Sequence, residues 1–142
     1  MGAAKATFEL LNHTADLGIK VVGSDLKALF ENAGKALVRL LVRGTPPEKT
    51  SPRDIVIMAE DLADLMVRWL GEILYLFEGE HLIPASLHVH RVTPSGIEAT
   101  LETVPFDPAS HEIQHEIKAV TYHQIEVAER DGRWEARVIF DL

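Results

Sequence analysis

Two carboxylates at opposite ends of the chain are the residues best placed to do chemistry. Asp16 closes the stretch Asn12-His13-Thr14-Ala15-Asp16, which separates the apolar run Phe8-Glu-Leu-Leu11 from a second one, Leu17-Gly-Ile-Lys-Val-Val22. Asp141 precedes the last residue in Arg137-Val-Ile-Phe-Asp-Leu142. Its side chain, with the carbonyl and terminal carboxylate of Leu142, sets several oxygens within a short reach. An oxygen-only donor set suits hard cations, Ca2+ or Mg2+ with Mn2+ as a further alternative, over zinc. If the first and last strands are neighbours, Asp16 and Asp141 can share one such ion. If they are not, Asp16 is a turn-capping residue and Asp141 a solvated one.

The other clusters are weaker. His88-x-His90 shares one face of a strand, and His111-x-x-x-His115 would share a face only on a helix. Neither pair has a third ligand at matching spacing, so both read as exposed residues rather than as zinc sites. In Lys118-Ala-Val-Thr-Tyr-His123, alternation sends Lys118 and Tyr122 one way and Thr121 and His123 the other. Lys118, at the start of that strand, could extend toward the carboxylates or a partner. The chain has no GxGxxG, GxxxxGK[ST], HExxH or CxxC motif and no cysteine, which removes the usual support for dinucleotide binding, P-loop chemistry, zincin hydrolysis and thiol chemistry.

Composition bounds the partners. With 14 Lys and Arg against 22 Asp and Glu, the net charge of −8 disfavours autonomous binding to nucleic acid, which needs a basic face. It suits a basic protein partner or a hard cation, or serves solubility alone. No apolar stretch is long enough to span a membrane, and the first residues lack the apolar block of a secretory signal. A cytoplasmic protein of one domain, residues 1–142, is the expectation.

The elements that must position these residues are legible from pattern. Ser24-Asp25 caps a helix whose apolar residues, Leu26, Leu29, Phe30, Ala33, Leu37, Leu40 and Leu41, recur at helical spacing until Gly44 ends it. Arg53 to Glu60 alternates as a strand. Asp61 caps a second helix from Leu62 to about Phe77, on which Asp64, Arg68 and Glu72 form a charged, solvated stripe. Two hairpins follow, one turning at Thr93-Pro-Ser-Gly96 and one at Arg130-Asp-Gly-Arg133, with Phe106 to Glu116 as a loop between them. This order predicts an α+β fold, a mostly antiparallel sheet packed with two amphipathic helices.

Four blocks, "NHTADLGIKVVGSDLKALFENAGKAL", "LVRWLGEILYLFE", "IKAVTYHQIEV" and "WEARVIFDL", together resemble the archease family, in order and spacing over nearly the whole chain. The resemblance implies an α+β accessory protein, not itself an enzyme, that activates an RtcB-type tRNA-splicing RNA ligase by promoting its guanylylation and multiple turnover. It implies a divalent metal site at Asp16, Asp141 and Leu142, with Ca2+ first and Mg2+ or Mn2+ as alternatives, and supporting roles in the site or in partner contact for His13 and Lys118. One departure is visible: the family commonly carries an acidic residue where this chain has Asn12. The rival readings are a free-standing metal-dependent hydrolase with His13 or His123 as general base, and a general chaperone or scaffold.

Overall fold

The computed structural model describes residues 7–11, 16–44 and 49–142. In chain order its elements are β1 (Phe8–Leu11), β2 (Asp16–Gly23), α1 (Leu26–Leu41), β3 (Val42–Gly44), β4 (Ser51–Met58), α2 (Leu62–Glu80), β5 (Leu82–Thr93), β6 (Gly96–Pro105), β7 (His111–Ile113), β8 (Ala119–Val120), β9 (Glu126–Arg130) and β10 (Arg133–Asp141). Every strand pairing among them is antiparallel. The fold is α+β, as the pattern predicts.

Both helices begin where an aspartate can accept from the first free amides. Asp25 Oδ1 takes the Ala28 N–H and Asp61 Oδ1 the Asp64 N–H, each at 2.8 Å. Such caps are worth about 1 kcal/mol each. The apolar face of α1, with Leu29, Phe30, Ala33 and Leu37, and that of α2, with Leu65, Met66, Trp69, Leu70 and Ile73, are buried against each other and the sheets. Trp69 is fully buried, and its indole N–H donates to the Phe30 carbonyl at 2.9 Å. That bond ties the helices together and satisfies the buried indole donor.

The larger sheet runs β1-β2-β10-β8, with β9 also on β10; the second runs β4-β6-β5; β3 and β7 make a two-stranded ribbon. Ile19, Val21, Ala136, Val138 and Phe140 supply the helix-facing side of the larger sheet, and Leu87, Val89, Ala99 and Leu101 that of the second. All belong to one continuous core.

Three expectations need correction. The first helix ends at Leu41, and Val42–Gly44 continues as a strand paired with His111–Ile113, inside the segment expected to be a loop. Gly44 is required there by close approach: a Cβ would lie 2.5 Å from the Ser110 carbonyl oxygen. The second helix extends to Glu80, three residues beyond the expected end, and closes on His81 in the left-handed region. The strand expected to run from Lys118 to the Asp-Gly turn is two short ones, because β8 and β9 pair with different ends of β10. The expected Asp-Gly hairpin is present, with positive φ at both Asp131 and Gly132.

Candidate functional site

β2 and β10 lie side by side in a register that runs from Trp134 opposite Gly23 to Asp141 opposite Asp16. Directly opposed residues on an antiparallel pair project to the same face, with Cβ atoms about 5 Å apart. The neighbours Leu17 and Phe140 are also opposed and belong to the core side, Phe140 being fully buried. Asp16 and Asp141 therefore both project from the other side, away from the helices. The start of β2 and the finish of β10 meet as acid against acid.

The strand end also gathers Leu142 and Lys118. Leu142 follows Asp141 directly and is exposed. Ala119 is paired with Asp141, and the Lys118 N–H donates to the Asp141 carbonyl at 2.8 Å. It is thus the Lys118 main chain that is tied to the site, while its exposed side chain lines an adjoining cleft of about 610 Å³ with His81, Phe106 and His115. His13 and Asn12 lie outside the described residues. Among the described residues no group of three or more His, Asp and Glu side chains is arranged to hold a metal ion. What the strand end offers is two carboxylates and the main-chain oxygens of Leu142, a donor set whose chemistry fits a hard cation and not zinc.

The histidines have other engagements. His88 and His90 are neighbours, ring centroids 4.7 Å apart, where β5 shifts register against β6. His90 Nε2 is 2.8 Å from Thr100 Oγ1, whose hydroxyl donates to Asp54 at 2.8 Å. His111 lies on β7, so a helical pairing with His115 is absent, and its Nδ1 accepts the Asp107 N–H at 2.9 Å. The His123 N–H donates to Thr121 Oγ1 at 3.3 Å, and the Thr121 main chain is bonded at Ile139, down the strand from Asp141.

One constellation escaped the sequence reading. The Tyr122 hydroxyl donates to Asp64 Oδ1 at 2.6 Å, while Asp64 Oδ2 accepts from Arg68 at 2.9 Å and from the Glu60 N–H at 3.0 Å. The Tyr122 hydroxyl and the Glu60 amide are the main causes holding the Asp64 carboxyl below its ordinary value, and the same bond pushes the Tyr122 phenol up. Thr121 adds two bonds to the Ile139 carbonyl, from its N–H at 3.0 Å and its hydroxyl at 2.8 Å. The segment after Lys118 is thereby fastened to β10 on one side and to the start of α2 on the other. Asp64 and Tyr122 are 58 residues apart, and no local pattern signals the pair.

A model of the Archease protein family matches residues 8–142. The chain belongs to the archease family. It is 33% identical over 139 residues to the protein archease of Methanosarcina acetivorans, with 95% of each chain covered. It is 34% identical to that of Pyrococcus furiosus, covering 95% of this chain and 98% of the relative. Among solved structures, the solution structure of Methanobacterium thermoautotrophicum protein 1598 superposes with a TM-score of 0.76 at 31% identity, over 96% of this chain and 99% of that one. The crystal structure of an archease from Thermotoga maritima, described as a possible chaperone, has a TM-score of 0.63 at 19% identity over 94% of this chain and 96% of its own, a likeness of fold. Both support the α+β archease architecture described above.

Proposed function

We propose that this chain is a non-enzymatic accessory protein that activates an RtcB-type tRNA-splicing RNA ligase, promoting guanylylation and multiple turnover, through a divalent-ion site at Asp16, Asp141 and Leu142. The observation that supports the reading is the register that sets Asp16 directly opposite Asp141 in an archease-family chain. Like charges so opposed repel, and a cation shared between them turns repulsion into cross-linking. When bound, the ion supplies a positive centre that joins the first long strand to the last. Both carboxylates and the main-chain oxygens of Leu142 would hold it. Lys118, whose main chain is tied to the Asp141 carbonyl, and His13 are assigned supporting roles in the site or in partner contact.

Activation is a shift in population: the accessory protein binds the ligase conformation competent for guanylylation more tightly than the resting one. Moving that balance from 1:99 to 99:1 takes about 5.5 kcal/mol of differential affinity. RNA binding is left to the ligase, as a net charge of −8 favours. The test is multiple-turnover ligation with purified ligase. Asp16→Ala and Asp141→Ala are expected to lose activation; variants that activate as well as the unaltered protein would show the assignment to be wrong.

A general chaperone is the second reading, supported by Val56 and Met58, which are 74% and 78% exposed on the edge strand β4. It predicts suppression of aggregation of an unrelated client that is indifferent to Asp16 and Asp141 and lost on Val56→Ser with Met58→Ser.

A further inference from the structure

Most arginines of this acidic protein face a carboxylate: Arg43 meets Glu112, Arg53 meets Glu80, and Arg91 meets Glu98, at 2.6 to 2.8 Å. Lys35 and Arg39 do not. Neither has an ion pair or a side-chain hydrogen bond among the described residues. Both are exposed on α1, one turn apart, and both line a cleft of about 520 Å³ walled by the start of β1 and by the Pro84–Leu87 stretch of β5. Among the described residues no carboxylate lines it. Glu31, the acid nearest along that helix, is turned to β5, where it accepts the Val89 N–H at 2.8 Å.

The walls have a second property. β1 is the outer strand of the larger sheet and β5 an outer strand of the second, so the cleft lies between two sheet edges with α1 as its floor. Edge strands carry main-chain donors and acceptors that an extended peptide can use. β5 shifts register against β6 between Pro84 and Ser86, and Ala85, which has no partner on β6 there, lines the cleft. An extended chain places alternate side chains on one side about 6.6 Å apart. Residues four apart on a helix are about 6 Å apart. The two spacings match.

We infer that this cleft binds an extended acidic segment of a protein partner, with carboxylates at alternate positions taken by Lys35 and Arg39. A positive cleft on a surface of net charge −8 also fixes orientation, since an acidic partner segment is repelled elsewhere. The assignment uses neither Asp16 nor Asp141, so it stands or falls apart from the metal site.

The test is fluorescence anisotropy of the full-length protein with a short rhodamine-labelled peptide of alternating Glu and Thr, against its Gln-Thr counterpart. The acidic peptide is expected to bind at least ~10-fold more tightly, with affinity falling as salt is raised. Lys35→Glu with Arg39→Glu should abolish binding at an unchanged thermal midpoint, and Lys35→Arg should retain it. Equal binding of the Gln peptide, or binding that survives the double substitution, would overturn the inference. So would displacement of the peptide by inorganic pyrophosphate or a short RNA at lower concentration than by unlabelled acidic peptide, which would make this a phosphate site.

Discussion

The two ends of β10 solve the same electrostatic problem in opposite ways. At its start, Glu135 is mostly buried on the outer face and is surrounded by Lys20, Arg130 and Arg133 at 3.7 to 3.9 Å. Beside it, Arg130 and Arg137 meet Glu126 at 2.8 and 3.8 Å. At its finish, the same strand places Asp141 against Asp16. At one end the carboxylate is ringed by the chain's own cations; at the other the register sets acid opposite acid, the place where we propose that a cation binds. The pairing of β2 with β10 thus carries both the ion-paired cluster at Glu135 and the opposed carboxylates. The internally paired end secures the register, and the register delivers the carboxylates.

This contrast can be broken by substitution, beginning with the largest effect. Calcium at about one hundred times its dissociation constant should stabilise the unaltered protein by about 2.7 kcal/mol, and Asp16→Asn or Asp141→Asn should remove that increment, as read from thermal midpoints with and without chelator. Next is Glu135→Ala, which leaves three cations facing one another around a mostly buried position; a loss of about 1–2 kcal/mol is expected, independent of calcium. Asp141→Lys should make the second end resemble the first. In chelator it is expected to stabilise by about 0.2–1 kcal/mol as an opposed pair of unlike charge, and calcium should no longer raise its midpoint.

The smallest effect belongs to the fastening between Tyr122 and Asp64. Tyr122→Phe should leave the global midpoint in place and speed amide hydrogen exchange at Thr121 and its neighbours, because it releases one side of the segment that follows Lys118. The bond also has a defined pH window. The Asp64 carboxyl is held below its ordinary 3.8, so its contribution is present above that value and is lost as pH falls through the folded one. The Tyr122 phenol is raised above 10.0, so its contribution is present below that value and is lost as pH rises through the folded one. Phenolate absorbance during an alkaline titration should show one late-ionising tyrosine in the unaltered protein and none in Asp64→Asn.

Much of this architecture is legible in the amino-acid order, and the parts that are not share a cause. Asp25 and Asp61 precede runs of helical periodicity and are found as caps. The alternation around Asp16 and Asp141 gives each a strand, and the archease resemblance makes those strands neighbours. Where the pairing partner is short and distant, the pattern is silent. His111–Ile113 has no alternation of its own and becomes a strand only because Val42–Gly44 lies beside it. The division of Lys118 to Glu129 into β8 and β9 follows from which end of β10 each meets, and the Asp64–Tyr122 bond from the packing of α2 against that segment. Asp64 does pair with Arg68 one turn on, as helical spacing predicts, but its other oxygen is committed elsewhere.

Calcium titration of the purified protein by isothermal calorimetry reads the proposed ion site itself. One ion per chain is expected for the unaltered protein and no measurable binding for either Asp16→Asn or Asp141→Asn, with both variants folded. Equal heats from the unaltered protein and the two variants would contradict it.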